Sequence, residues 1–359
     1  MPLVAHNQLP SFNRLRSEGI KVLTPDTALH QDIRELHIGL LNMMPDAALA
    51  ATERQFFRLI GESNPIAQIY VHPFTLSELP RSETVQAHID QYYESFEQIK
   101  QQGLDALIIT GINVIGPELS NQAFWQPLIE VADWAHENVA STLCSCLATH
   151  AVLEFRYGQK RRARADKKWG VFSHRVTNLQ HPLVTDINTR FDVPHSRGNG
   201  ISRQQFEAAN LKVLAVDNEN CVHLAASEDG FRSIFFQGHP EYDTISLLKE
   251  FKREVMLFIK SARADYPPFP YDYFGVKSSA ILREYKNRVI MALNNNVVPN
   301  KMELPDFPES LVIDHLDNTW HDSARGVVSN WVGLIYQLTH SDRKKQFMDD
   351  VDRANPLGL

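Results

Sequence analysis

Ser141-Thr142-Leu143-Cys144-Ser145-Cys146-Leu147-Ala148-Thr149-His150 is an apolar run that stops at a thiol, passes through small residues and resumes with helical spacing. It predicts a strand, a sharp turn and a helix. A turn of this kind lifts one side chain out of a sheet and aims the first N–H groups of the following helix at whatever that side chain attacks. Cys146 is at the turn, because Leu147, Ala148 and Thr149, then Ala151-Val152-Leu153, can begin a buried helix. Cys144 still belongs to the strand. Buried cysteines are also ordinary core residues, so the turn by itself leaves both readings open.

Upstream, Leu36 to Met44 is an apolar strand closed by Pro45, followed by helical spacing from Ala47 to Ile60 with Asp46 as its N-cap. A second strand is expected over Ile66 to Val71, a loop over His72-Pro73-Phe74-Thr75, and a helix from about Ser82 to Lys100. Leu104 to Gly111 reads as a buried strand, and a helix from Phe124 to Asn138 leads to the strand that ends at Cys146. This alternation builds a mostly parallel sheet with helices on both faces and ligands beyond the carboxyl ends of the strands. Gly111 and Cys146 both fall at that edge.

Downstream, Arg156, Lys160, Arg161, Arg162, Arg164, Lys167 and Lys168 form a basic run that suits either a solvated face or recognition of phosphates or a carboxylate. Short β-type segments follow, ending in Ser233 to Phe236 and then Gly238-His239-Pro240-Glu241. His239 is thus also at a strand end. In an extended segment, residues two apart share a side, so Glu241 reaches the His239 ring. Cys146, His239 and Glu241 compose a triad in which the imidazole takes the thiol proton and the carboxylate stabilises the imidazolium. Backbone N–H groups at Leu147 and Ile112 are placed to receive an oxyanion. Asp265 to Pro270 cannot be regular helix, and helices follow at about Ala280 to Asn294 and Val327 to Thr339. We expect residues 1–265 to form the main domain and 266–359 a C-terminal extension packed on it.

At 359 residues, with 43 % apolar and 22 % charged, the chain can bury a large core. The formal charge of −7 argues against nucleic acid as a main partner. Cysteines at 144, 146 and 221 cannot make a disulfide framework, and Cys-x-Cys without a second pair is a poor zinc signature. His195, His223 and His239 have no short ligand spacing, so neither a metal nor a prosthetic group is expected. No apolar run approaches the roughly 18 residues of a membrane span, and Met1 to His6 has neither a basic leader nor an apolar signal segment. A cytoplasmic protein is the expectation.

Several motifs occur in one order: Leu41-Asn42-Met43-Met44-Pro45, Thr52-Glu53-Arg54-Gln55-Phe56, Ser141-Thr142-Leu143 with Cys146, Trp169-Gly170-Val171-Phe172-Ser173-His174-Arg175, Pro194-His195-Ser196-Arg197, Gly238 to Asp243, and Asn330-Trp331. In these the chain resembles the homoserine O-acyltransferases of the homoserine transsuccinylase family. The resemblance implies a flavodoxin-like doubly wound sheet, similar to class I glutamine amidotransferases. It implies a ping-pong acyl transfer from a CoA thioester to the hydroxyl of L-homoserine in methionine synthesis, with CoA as a substrate carrier, and it suggests a homodimer. By resemblance, Cys146 is the nucleophile, His239 the general base and Glu241 its orienting partner, while Lys167, Ser196 and Arg253 bind substrate. A guanidinium suits the amino acid's carboxylate. Each of the three also has a structural reading: a solvated basic run for Lys167, a turn cap for Ser196, an ion pair with Glu250 or Glu254 for Arg253.

The chain departs from the family at Leu147, where an aromatic is usual, at His150 in place of glutamine, and in a segment from about Val276 to Val312. The position tied to acyl choice, glycine for succinyl and glutamate for acetyl, falls on Ile115. Isoleucine spares the succinyl carboxylate the charge penalty of a glutamate, so succinyl is favoured over acetyl. Serine as acceptor is the alternative that Leu147 and His150 motivate, and a glutamine-amidotransferase-like hydrolase is the alternative from another reaction class.

Overall fold

The structure, a computed structural model, describes residues 3–63, 67–114, 118–294 and 304–359. Its strands in chain order are β1 (Leu3–Val4), β2 (Val22–Leu23), β3 (Glu35–Leu41), β4 (Gln68–Phe74), β5 (Ala106–Ile109), β6 (Ser141–Ser145), β7 (Arg162–Val176), β8 (Arg190–Gly200), β9 (Lys212–Asp217), β10 (Val222–Ala226) and β11 (Ser233–Phe236). Among the described residues they form one sheet in the order β2-β1-β4-β3-β5-β6-β11-β10-β9-β7-β8. Neighbours from β2 to β11 run parallel, and those from β11 to β8 run antiparallel. The inner run β4-β3-β5-β6-β11 has the strand order of the flavodoxin-like sheet. The expected doubly wound, mostly parallel α/β fold is therefore what the chain forms.

Side chains alternate between the two faces of these strands. Ile38, Leu40, Ile108, Leu143, Ile234 and Phe236 enter one buried cluster, while Leu41, Leu107, Ile109, Cys144 and Phe235 enter another on the opposite face. Covering both faces leaves only the strand ends open to a ligand. β5 and β6 end at Ile109 and Ser145, paired with their neighbours through Ile109↔Cys144 and Phe236↔Ser145.

Three local expectations change. The strand expected to stop at Val71 continues through His72 and Pro73, because Leu40↔Pro73 and Leu41↔Phe74 extend its pairing with β3. Proline is tolerated there because β1 reaches β4 only at Ile69, which leaves that side of Pro73 unpaired. The expected helix from Ser82 to Lys100 is two, Glu83–Tyr92 and Phe96–Gln102, since Ser95 and Gln98 form a capping box that restarts it. Asp46 lies inside the first turn of the helix Asp46–Ser63 rather than capping it, and its Oδ2 accepts the Ser82 N–H at 2.8 Å. The N-terminal helix Pro10–Ser17 and the two-residue strands β1 and β2 are additions that the sequence pattern does not predict.

The described part of 266–359 adds helices to the sheet and no strand to it. His321–Leu338 packs on Asp46–Ser63, and its Trp331 Nε1 donates to Ser141 Oγ at 2.8 Å. Val276–Asn294 joins Trp169, Phe251 and Trp320 in a third buried cluster through Leu282 and Tyr285. A short strap crosses β7, with Val171 N–H donating to Tyr271 O at 2.8 Å and Tyr271 N–H to Trp169 O at 2.9 Å. Only glycine fits between these bonds: Gly170 has φ +139°, and a Cβ there would stand 2.2 Å from Tyr271 O. Among the described residues, no helix is long and apolar enough to cross a membrane.

Candidate active site

Cys146 joins β6 to the helix Leu147–Tyr157 with φ 52° and ψ −108°, a conformation that a non-glycine residue keeps only when its surroundings impose it. β11 imposes it. Phe236 O accepts the Cys146 N–H at 2.8 Å, and the Thr149 hydroxyl lies 2.8 Å from both Phe236 O and Cys144 O. Leu147 is the first residue of the helix, so its N–H has no acceptor within the helix. A Cβ at Gly111 would stand 3.4 Å from Cys146 Cβ and 3.6 Å from Leu147 N, so the missing side chain leaves open the space over the thiol. Ile112 follows directly. Cys144 is fully buried, and burial pushes its thiol up to about 12, which makes it inert.

His239 leaves the end of β11, and its Nδ1 lies 2.8 Å from Glu241 Oε1. The geometry differs from the extended segment expected: residues 239–242 form a turn, with Tyr242 N–H donating to His239 O at 3.2 Å. Because a carboxylate only accepts, Nδ1 carries a proton and Nε2 is left for the thiol. Burial would push the His239 pKa down, but the charge on Cys146 and then that on Glu241, with hydrogen bonds to both, hold it well above its ordinary value. Tyr242 stacks on the imidazole with centroids 4.3 Å apart. The three residues named from the sequence thus meet at the carboxyl edge of the sheet.

Beside them is Glu250, a carboxylate that the sequence offered only as an ion-pair partner for Arg253. Glu250 Oε2 accepts the Ser196 hydroxyl at 2.5 Å and Trp169 Nε1 at 3.0 Å, Oε1 accepts the Tyr242 hydroxyl at 2.8 Å, and Lys167 Nζ lies 3.6 Å away. Lys167 also sits 4.4 Å from the Trp169 ring, and burial lowers its pKa although Glu250 opposes this. Two of the expected substrate-binding residues, Lys167 and Ser196, are therefore brought together by Glu250. Arg253 lies one turn further along the helix Ser246–Ile259, half exposed, with Glu254 at 3.6 Å. The signal for Glu250 was its spacing of three from Arg253, which puts both on one helix face.

His150 is buried and points away from solvent, with Nε2 3.1 Å from Gln237 Oε1, and burial drives its pKa down to about 3. Ile115 lies outside the described residues. Among the described residues, two groups have donor atoms close enough for a metal, His6/His72/Glu94 and Asp217/Glu219/Cys221. In the first, both His72 nitrogens are engaged, by His37 at 2.8 Å and Glu94 at 2.5 Å. In the second, Asp217 is held by Lys168 at 2.6 Å and by the N–H groups of Glu219 and Cys221. Neither includes a residue of the Cys146 cluster.

Residues 2–341 match the family described as homoserine O-succinyltransferase. The chain belongs to that family. It is 65 % identical over 359 residues to the homoserine O-succinyltransferase of Allochromatium vinosum, covering 100 % of this chain and 99 % of that one. The protein of the same name from Nitrosococcus oceani is 63 % identical, and that from Cardiobacterium hominis 50 %, each with 100 % of this chain and 99 % of theirs covered. Membership makes the protein an enzyme, a homoserine O-acyltransferase of methionine biosynthesis with succinyl favoured over acetyl. Solved structures of a glutamine amidotransferase from Thermotoga maritima and one from Methylobacillus flagellatus overlap with TM-scores of 0.40 and 0.42. Their identities are 11 % and 10 %, covering 85 % and 84 % of this chain and 99 % and 95 % of theirs.

Proposed function

We propose that the enzyme moves a succinyl group from succinyl-CoA to the hydroxyl of L-homoserine by a ping-pong reaction through a thioester on Cys146. The observation that carries this reading is the raised His239 imidazole between a thiol on a strained strand-to-helix turn and the Glu241 carboxylate. A raised imidazole next to a thiol favours the thiolate–imidazolium pair, the nucleophilic form. The thiolate attacks the thioester carbonyl, and the oxyanion that forms is received by the N–H groups of Leu147 and Ile112. Collapse expels the CoA thiolate, which takes the His239 proton. Neutral His239 then takes the homoserine hydroxyl proton as that oxygen attacks the acyl-enzyme, and release of the ester restores the thiolate–imidazolium pair.

Lys167 and Arg253 supply cations for the homoserine carboxylate, with Arg253 able to bind it through two parallel hydrogen bonds. Ser196 is held by Glu250 in the same cluster. CoA enters only as the carrier of the acyl group, and the chemistry asks for no metal and no prosthetic group. Intact-protein mass measurement after mixing with succinyl-CoA alone tests the reading. A succinyl adduct that homoserine discharges, and that Cys146→Ala abolishes, supports it. Turnover retained in Cys146→Ala overturns it.

A further inference from the structure

Among the described residues, the Arg197 guanidinium has no carboxylate partner. It is 5 % exposed, on β8, and its hydrogen bonds go to neutral groups: Nε to His195 Nδ1 at 3.4 Å and Nη1 to Asn199 O at 2.9 Å. Among the described residues, no carboxylate comes within ion-pair distance. The nearest in electrostatic effect, Asp217, is already held by Lys168 at 2.6 Å. A buried charge without a counter-ion is strongly unfavourable, so a guanidinium held in this way is suited to pairing with an anionic ligand.

The surroundings add to this deficit. Residues 164–167 bulge out of the β7–β8 ribbon between the pairs Ala163↔Asn199 and Lys168↔Arg197, and bulges re-aim side chains next to active sites. On that bulge, Arg164 Nη1 lies 3.9 Å from the Cys221 sulfur, and among the described residues its buried Nε has no hydrogen-bond partner. Burial and then the Arg164 charge lower the Arg197 pKa, while Cys221 and Cys146 pull it back. Arg197 therefore sits within electrostatic range of both Arg164 and the nucleophile. Gly200 makes room for it: a Cβ there would come within 2.3 Å of Arg197 Nη1 and 3.8 Å of Gln237 Oε1. Gln237 follows Phe236, the residue that clamps the Cys146 turn.

We propose that Arg197, backed by Arg164, binds the terminal carboxylate of the succinyl group while its other end is joined to Cys146, and that this pair is what selects a dicarboxylic acyl group. The inference rests on the acyl-enzyme reading above. A succinyl thioester carries its charge three carbon–carbon bonds beyond the reacting carbonyl, and a guanidinium takes a carboxylate through two parallel N–H···O bonds. An acetyl group offers nothing to this end of the site.

The test compares succinyl-CoA with butyryl-CoA, which has the same chain length but a methyl group in place of the carboxylate. Acylation of Cys146 is followed by mass, and kcat/KM is measured with homoserine. The wild type should prefer succinyl by about a hundredfold or more, the effect of leaving a buried charge unpaired. In Arg197→Gln the preference should collapse towards unity whatever the common rate does, and in Arg164→Gln it should shrink about tenfold. Parallel loss with both donors in Arg197→Gln, at unchanged preference, would mean a purely structural arginine and overturn the proposal. So would a wild type that uses butyryl-CoA as well as succinyl-CoA, a result that needs no variant to fold. A wild type in which Cys146 takes neither acyl group overturns the acyl-enzyme reading first, and this inference with it.

Discussion

The Tyr242 ring stacks on that of His239 at a centroid distance of 4.3 Å and an angle of 17°, while the Tyr242 hydroxyl donates to Glu250. One side chain thus touches both the base and the carboxylate that gathers Ser196 and Lys167. Tyr242→Phe keeps the stack and removes the hydrogen bond to a charged acceptor. We expect KM for homoserine to rise about tenfold, with a much smaller effect on acylation by the donor alone. Burst and steady-state kinetics separate the two, and equal effects on both would mean that Tyr242 does not link them.

Cys146 is the largest influence holding the His239 pKa up, and burial works against it. In Cys146→Ala the imidazole should therefore titrate at lower pH than in the wild type. NMR titration of the histidine ring reads this directly. An unchanged titration would show that no thiolate–imidazolium pair forms.

Gly111 leaves open the space beside Cys146 and Leu147. A methyl group there makes ordinary contacts with the protein, so Gly111→Ala should fold normally. It should still slow acylation about a hundredfold by crowding the oxyanion position. Equal acylation rates in the two proteins would place the oxyanion elsewhere.

Acid should destabilise the protein early. His150 and His174 are buried and neutral, held down to about 3 and about 4, and His195 and His223 are pushed well below 6.5, in every case first by burial. The unfolded chain protonates these imidazoles from about pH 6.5 downward while the folded one does not, so stability falls as pH drops through that window. Each contributes about 1.4 kcal/mol per pH unit. His239 works in the opposite sense, because its raised pKa adds stability below pH 6.5 that is lost as pH rises through its folded pKa. Burial lowers His6, His37, His136 and His181 in the same sense, so against His239 alone the lowered histidines prevail and urea midpoints should fall steadily from pH 6.5 to 5. A flat profile would show that the buried cluster is solvated.

Gly170→Ala should unfasten the strap at Tyr271, since the new Cβ would collide with its backbone. A loss of several kcal/mol in stability, with faster amide exchange at Tyr271 and Val171, is the expected outcome. Unchanged exchange would contradict the close approach.

The sheet was legible because its strands are short apolar runs ended by glycine, proline or small residues, as in Leu104 to Gly111. The Cys146 turn and the His239-Pro240-Glu241 run were legible because their spacing is local. Glu250 was not, since its four contacts come from residues 167, 169, 196 and 242, which only the fold brings together. Arg197 stands in a sequence motif, but that no described carboxylate pairs with it is a property of its surroundings and not of its neighbours in the chain. The strand through Pro73 was missed because tolerance of proline depends on how far β1 extends.

The clamp on Cys146 is made by a residue ninety positions later in the chain. Phe236 O holds the turn that arms the thiol, and β11 can pair with β6 only after everything between them has been made. While the ribosome is still extending the chain, the cysteine is therefore an ordinary thiol in a relaxed backbone. Its reactivity arrives late in synthesis, when the sheet closes and the sulfur already has a built site around it.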